Sequence, residues 1–326
     1  MQSFLGIDVS KRTLDVLLIT DHGSNHKVIT NDHGGYQKLE KWLRTQQSGK
    51  VHACLEATGQ YGEDVSEYLS EHGHQVSVVN PARIKRYGQS KLHRNKTDKA
   101  DAALIAEFCQ KENPGLWEPL SPEIKRLRAL VRRLQDLKAN LQQEKNRKDS
   151  GEKDPWVIRD LEAHIAYLQE RIKATEKEIE ELINQTPGLK LNRNLLTSIP
   201  SFGNLTAYTF LAEIGDVSRF DNAPQLAAYA GLNPQGHRSG SSVYKKTRIS
   251  KQGRSELRKC LYMPAVVALK CNPVIQDLNE RMTERHSHTM EIIVAAMRKL
   301  LHIAYGVLKN QIPFDPEYGK QFDFSS

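Results

Sequence analysis

The chain has 326 residues, with 47 Lys or Arg against 39 Asp or Glu, so its formal net charge is +8. This length predicts more than one module, and the positive charge favours an anionic partner. The four cysteines form no CxxC pair, and no apolar run approaches the roughly 18 residues of a membrane span, which argues against zinc knuckles, a disulfide framework and a membrane partner. A reducing compartment such as the cytoplasm is expected.

Short apolar strands alternate with amphipathic helices in the N-terminal part of the chain. The expected strands are residues 3–9, 13–20, 28–30, 51–56 and 75–79, and the expected helices run from about Tyr36 to Thr45 and from the fourth strand to about His72. The first three strands are joined by short polar turns, which predicts antiparallel pairing. This βββαβαβ order predicts an α/β domain of the RNase H-like class over residues 1–115.

Leucine and isoleucine recur at spacings of three and four through residues 116–186, which is the pattern of a heptad seam. The seam positions are Leu127, Leu130, Leu134, Leu137 and Leu141, then Ile158, Leu161, Ile165, Leu168, Ile172, Ile179 and Leu182. A polar stretch at 146–155 interrupts the pattern and predicts two antiparallel helices. Such helices pair either with each other or with a second chain, and we expect an oligomerisation segment rather than an internal hairpin.

A third module, mainly α-helical, is expected over residues 187–326. Its segment SIPSFG, followed by an apolar stretch, predicts a helix, a glycine turn and a second helix. The turn either only reverses the chain or also presents backbone N–H groups and a helix N-terminus to a phosphate. The sequence favours neither alternative.

Four acids stand where an RNase H-like order would bring them together. Asp8 ends the first strand, Glu56 ends the fourth, and Asp98 and Asp101 lie three apart at the start of a predicted helix. Taken singly, each is explained by helix capping or by a strand-end hydrogen bond. As a set they predict a two-cation site for Mg²⁺, because carboxylate oxygens are its preferred ligands and a polarised phosphodiester is its substrate.

Basic residues flank these acids. Between residues 83 and 99 there are seven Lys or Arg against one acid, Asp98. A solvated charge run is the alternative, but the position beside an acidic cluster favours binding of a polyanion. The members are Arg83, Lys85, Arg86, Lys91, Arg94, Lys96 and Lys99.

A second basic segment follows a serine and glycine run. Glycine lets a loop approach a phosphate closely, and nearby cations stabilise the charge that builds up during phosphoryl transfer. Ser239, Ser241 and Ser242 are therefore candidate nucleophiles, with Tyr229 and Tyr244 as rivals, although composition alone predicts a flexible polar loop before a basic helix. The cations of this segment are Lys245, Lys246, Arg248, Lys251, Arg254, Arg258 and Lys259.

Several motifs occur together and in order along nearly the whole chain. They are GIDVSK, CLEATGQY, NPARIK, HRNKTDKADAALIAEFC, TSIPSFG, FDNAPQLAAYAGLNP, RSGSSV and ISKQGRSELRKCLYMPA. This succession resembles the DEDD (RuvC-like) insertion-sequence transposases, close to the bridge-RNA-guided DNA recombinases.

The resemblance implies a RuvC-like metal-binding domain over 1–115, an antiparallel coiled coil over 116–186 and a C-terminal transposase domain over 187–326. It implies that Mg²⁺ is held by Asp8, Glu56, Asp98 and Asp101, and that Ser239 attacks a DNA phosphate to form a covalent intermediate. The implied partners are donor and target DNA, a noncoding guide (bridge) RNA and further copies of the chain, as a dimer assembling to a tetramer. A bacterial, nucleoid-associated location would follow.

Three other functions remain open from the residues. A metal-dependent RuvC-like junction endonuclease would use the four acids to activate water, without a covalent intermediate. A non-catalytic nucleic-acid-binding assembly protein would use the helices and basic segments alone. A sugar-kinase-like ATPase ranks last, because the chain lacks a GxxxxGK[ST] loop and further phosphate-binding signals.

Overall fold

The computed structural model describes residues 2–57, 59–91, 97–239 and 243–317. The chain forms two compact units, Met1–Pro119 and Leu120–Ser326. Each unit has its own hydrophobic core. Among the described residues, no helix has both the length and the apolar character needed to cross a membrane.

The first unit is a mixed α/β structure built on one sheet. Its elements are β1 (Ser3–Val9), β2 (Thr13–Thr20), β3 (Gly23–Thr30), α1 (His33–Thr45), β4 (Val51–Glu56), α2 (Glu63–Glu71), β5 (Gln75–Val79), α3 (Pro81–Ser90) and α4 (Asp98–Glu112). The sheet order is β3-β2-β1-β4-β5, with β1 antiparallel to β2 and parallel to β4. The predicted order of strands and helices is confirmed, and β3 is longer than expected because polar residues continue it along the sheet edge.

Helix α4 lies against the sheet at Gly6, the middle residue of β1. A Cβ atom at Gly6 would stand 2.1 Å from the carbonyl oxygen of Ala102 and 2.3 Å from the backbone nitrogen of Ala106. Only a residue without a side chain therefore permits this approach of backbone to backbone. The contact fixes where the N-terminus of α4 lies relative to β1.

Gly6→Ala is expected to destabilise the first unit by about 1–3 kcal/mol or more, because backbone atoms rather than flexible side-chain ends would have to move. Urea unfolding of the full chain measures this change. Gly115→Ala is the matched control, since an added Cβ there meets no atom within 4 Å and the residue has no positive φ. Equal stability of the two variants would contradict the close approach.

The second unit is mainly helical. Its elements are α5 (Pro122–Asp149), α6 (Pro155–Gln185), α7 (Pro187–Thr197), α8 (Asn204–Ile214), α9 (Ala223–Ala230), β6 (Pro234–Ser239), β7 (Val243–Ile249), α10 (Ser255–Cys271), α11 (Pro273–Glu284) and α12 (Thr289–Asn310). One hydrophobic cluster runs from α5 to α12. Where composition alone predicts a flexible loop, β6 and β7 form an antiparallel ribbon on either side of residues 240–242.

Helices α5 and α6 pair with each other as an antiparallel hairpin. Leu127, Leu134 and Leu137 of α5 are buried in one cluster with Leu168 and Ile172 of α6. Ion pairs at 2.7–3.0 Å run along the hairpin, namely Arg126–Glu178, Lys138–Glu176 and Lys148–Glu162. The buried part of the seam is thus filled by α5 and α6 of one chain, and pairing of the segment with a second chain remains a prediction.

The hairpin shares the core of the second unit. The buried Arg128 of α5 donates from Nε to the carbonyl oxygen of Ala212 in α8 at 2.9 Å. Arg193 of α7 pairs with Glu180 of α6 at 3.2 Å. By packing, the chain therefore has two units where three segments were expected, and the separate role of residues 116–186 remains a prediction.

Leu134→Ala is expected to cost about 2–5 kcal/mol of unfolding free energy, because a fully buried seam side chain is removed. Since the seam closes within one chain, the loss should be independent of protein concentration in thermal unfolding. Trp156→Ala, at a site that is 66% exposed near the start of α6, should change stability little. A melting temperature that rises with concentration in the wild type but not in Leu134→Ala would indicate an intermolecular seam.

The segment SIPSFG forms the turn between α7 and α8, as predicted. Ser201 in this turn has a φ of 88°, and Gly203 precedes the first helical residue of α8 without a side-chain cap. Every residue from Ala207 to Ile214 is buried, so α8 is a core helix. The segment connects α7 to α8. Its binding to a phosphate remains a prediction.

Candidate active site

Three neighbouring strands place acidic residues in one row across the sheet. Asp8 of β1 lies opposite Asp15 of β2, and the parallel pairing of Ile7 with Leu55 puts Glu56 beside Asp8 on the other side. Residues in register on adjacent strands point to the same face of a sheet. Gly6, two residues before Asp8, faces α4, so this row of carboxylates lies on the face that α4 covers.

The N-terminal turn of α4 adds the other two acids. Thr97 caps the helix, its Oγ1 accepting a hydrogen bond from the backbone nitrogen of Ala100 at 3.2 Å. Asp98 and Asp101 occupy the first turn. Ala102, the residue after Asp101, and Ala106, one turn further on, contact Gly6 of β1. The Gly6 contact therefore brings this turn toward Asp8.

The pKa of Asp8 responds to burial and to three nearby acids. The pKa of Asp8 is raised above its ordinary value of 3.8, first by burial and then by the charges of Asp101, Asp98 and Asp15, in that order. A hydrogen bond from the Val9 backbone acts in the opposite direction. Carboxylates this close repel one another, and neutralising one of them lowers the energy of the folded chain.

The donor chemistry of this row fits a divalent cation, because carboxylate oxygens are the ligands that Mg²⁺ prefers and a cation would relieve the repulsion at Asp8. Within the described ranges, no three His, Cys, Asp or Glu side chains are grouped closely enough to hold a metal ion. The acids thus lie near one another without forming a closed set of ligands.

Basic residues of the first segment line the exposed side of α3 and its C-terminus. Arg83, Lys85 and Arg86 are exposed, and the Arg83 guanidinium lies 5.4 Å from the centroid of the Phe108 ring. Lys91 pairs with Glu107 at 2.6 Å, and that carboxylate raises the pKa of the lysine. Two other residues of this segment that are predicted to bind nucleic acid, Arg94 and Lys96, lie outside the described residues.

The serine segment lies at the end of the β6–β7 ribbon. Ser239 is the last residue of β6 and pairs with Val243, the first residue of β7. Ser241 and Ser242 lie outside the described residues. The structure describes only the backbone of Ser239, Tyr244, Lys245, Lys246 and Arg248. The two units carry the acids and the serine separately.

Two arginines of the second basic segment are engaged within the chain. Arg258 donates from Nη1 to the carbonyl oxygens of Ala230 and Gly253 at 2.8 and 3.0 Å, and burial lowers its pKa. Arg254 stacks over Tyr229 and donates from Nε to its hydroxyl at 3.0 Å. Both side chains thus make contacts within their own unit and Lys251 is exposed, while binding of these residues to nucleic acid remains a prediction.

Comparison with known proteins identifies the family. The family model for DEDD transposases of the IS110 type matches residues 5–150, and the family model for IS116/IS110/IS902 transposases matches residues 193–280. A pilin gene-inverting protein of Moraxella lacunata is 37% identical over 317 residues, covering 96% of this chain and 98% of the relative. The chain belongs to the IS110 family of DEDD transposases.

More distant relatives carry the same description. A transposase for insertion sequence element IS1328 of Yersinia enterocolitica is 25% identical, over 94% of this chain and 96% of the relative. A solved RuvC in complex with a Holliday junction substrate covers 36% of this chain at 11% identity with a TM-score of 0.26, a likeness too weak to support any statement. The protein is thus a DNA transposase of the recombinase type, and DNA is its partner.

The transposase has its four predicted acids within the first matched range and Ser239 within the second. Sequence reasoning missed Asp15, which lies opposite Asp8, and His26, which contacts Asp15 from β3 on the same face of the sheet. A signal was present, because a hairpin joining strands 3–9 and 13–20 with a short turn pairs residue 8 with residue 15. Asp15 lies within β2 and not at a strand end, where Asp8 and Glu56 were expected.

Proposed function

We propose that the transposase cuts and rejoins DNA through a covalent phosphoserine intermediate at Ser239, assisted by Mg²⁺ at Asp8, Glu56, Asp98 and Asp101 and guided by a noncoding RNA. The observation that carries the metal-assisted part is the strand register that sets Glu56 and Asp15 on either side of Asp8, on the sheet face toward which α4 brings its first-turn acids. Burial raises the pKa of Asp8 most, and repulsion by Asp101, Asp98 and Asp15 raises it further. Such repulsion is kept in a fold when a bound cation offsets it.

In this proposal the carboxylates bind the metal ion and Ser239 is the nucleophile. Bound at the carboxylates, Mg²⁺ would supply Lewis acidity toward the phosphodiester. The Ser239 hydroxyl attacks phosphorus, its Oγ–P bond forms while one bridging P–O bond of the DNA breaks, and the departing deoxyribose oxygen takes up a proton in place of the one that serine loses. The phosphoserine ester keeps the bond energy for rejoining, so no nucleotide hydrolysis is needed.

The relatives support rejoining over simple cleavage. The Moraxella lacunata relative is described as inverting a pilin gene, and inversion of a DNA segment requires that every cut end be joined to another. The guide RNA and the assembly of dimers into tetramers rest on the resemblance of the motifs. The exposed cations Arg83, Lys85 and Arg86 are proposed to contact the nucleic-acid backbone.

The test is a search for a covalent protein–DNA adduct. Purified full-length protein is incubated with labelled donor and target DNA, with and without the flanking noncoding RNA and with Mg²⁺ or EDTA, and resolved on a denaturing gel. We expect an adduct only when RNA and Mg²⁺ are both present. An adduct that forms without RNA would contradict guidance, and Mg²⁺-dependent cleavage with no adduct would favour the alternative, a junction endonuclease that uses water.

A further inference from the structure

Asp15 continues the row of carboxylates beyond the four acids of the family motif. It lies opposite Asp8 in the β1–β2 hairpin, as Glu56 lies beside Asp8 on the other flank. Leu17, two residues further along β2, packs with Ala102 and Ala106 of α4. Asp15 therefore points to the same face as Asp8, toward the N-terminal turn of α4.

His26 holds the Asp15 carboxylate from the far side of the row. Its Nε2 lies 2.9 Å from Oδ1 of Asp15, and the two side chains are only 21% and 14% exposed. In the β2–β3 pairing, Asp15 is opposite Val28, so His26 is its diagonal neighbour on the same face. The contact restricts the orientation of an acid that faces another acid.

The arrangement has an electrostatic consequence for Asp8. The register sets the carboxylates of Asp15 and Asp8 opposite each other on one face of the sheet, so their like charges repel. A pair whose only role was to tie β2 to β3 would gain nothing from standing opposite a second half-buried carboxylate, because that placement costs repulsion. Near a bound cation the same charge becomes favourable.

We propose that Asp15, oriented by His26, is a positioning residue of the carboxylate site that strengthens its attraction for Mg²⁺ and limits the movement of Asp8. The inference rests on the proposed function, since it concerns the same site. Asp15 would affect Mg²⁺ binding in two ways, by the negative charge of its carboxylate and by restricting the position of Asp8.

Calorimetric titration of the full-length protein with Mg²⁺ tests the proposal without DNA. Asp15→Asn keeps the shape and an acceptor for His26 but removes the charge, and it should weaken Mg²⁺ binding by roughly tenfold, as expected for one unit charge near a divalent cation at a protein surface. Asp15→Glu, which keeps the charge, should restore most of the affinity. Asp21→Asn, in the exposed β2–β3 turn, is the control for a general loss of charge.

The adduct assay gives a second readout. The yield of covalent adduct from Asp15→Asn should approach that of the wild type as the Mg²⁺ concentration is raised. A variant that merely folds poorly would give a low yield at every Mg²⁺ concentration. Equal Mg²⁺ affinity of Asp15→Asn and the wild type would overturn this inference and leave the proposed function standing. If the wild type binds no Mg²⁺ and forms its adduct in EDTA, the metal-assisted function itself fails.

Discussion

Asp8→Asn is expected to abolish adduct formation and to raise the melting temperature of the protein. Activity should fall by roughly a hundredfold or more, the loss typical when a group that stabilises the charge of a transition state is removed. Stability should change in the opposite direction, because the amide removes a charge that burial disfavours most and that Asp101, Asp98 and Asp15 also repel.

The pH dependence of stability follows from the same shift. The pKa of Asp8 in the folded chain lies above the ordinary value of 3.8, so protonation favours the folded state. This contribution is fully present below the unfolded pKa and is lost as the pH rises from there through the folded pKa. The difference in melting temperature between Asp8→Asn and the wild type should therefore grow with pH over that window and then level off.

Thermal unfolding with and without Mg²⁺ provides the measurement and its control. Added Mg²⁺ should raise the melting temperature of the wild type and reduce the advantage of Asp8→Asn, because a cation neutralises the row. Asp21→Asn, which removes an exposed charge outside the row, should alter neither activity nor stability noticeably. An Asp8→Asn protein that is less stable than the wild type in EDTA would show that the acids do not repel one another.

Ser239→Ala is expected to eliminate the covalent adduct while leaving Mg²⁺ binding intact. Loss of the attacking hydroxyl should reduce strand transfer by about 10⁴-fold or more, as for other enzymes that lose their nucleophile. The alanine leaves all four acids in place, so calorimetric titration with Mg²⁺ should give the same affinity as for the wild type.

Ser241→Ala and Ser242→Ala are the matched variants, since they remove a hydroxyl from the same run. Both should still form the adduct. If the adduct survives in Ser239→Ala and disappears in one of the other two, the nucleophile is assigned to that serine. If it survives in all three, a tyrosine becomes the candidate, and Tyr244→Phe is then the decisive variant because the Tyr229 hydroxyl is already engaged by Arg254.

The sequence was most informative where function depends on local pattern. The strands 3–9, 13–20, 51–56 and 75–79 were placed correctly because alternation and turn residues act over a few neighbouring positions. Asp98 and Asp101 were correctly expected in the first turn of a helix. The order of motifs identified the family, since a succession of signatures along one chain is more specific than any of them alone.

Only the tertiary structure decided which partners these elements have. The seam of α5 closes against α6 of the same chain, because burial depends on which surface is nearest in space and not on the periodicity itself. Arg258 is a predicted nucleic-acid contact because of its charge, and the structure adds that its guanidinium donates to two backbone carbonyls. Asp15 became visible through the register of β1 with β2. Sequence thus determined the elements, the family and the positions of the four acids within those elements, and the role of the acids remains a prediction. The neighbours of each charge, which set its pKa, came from contacts between distant segments.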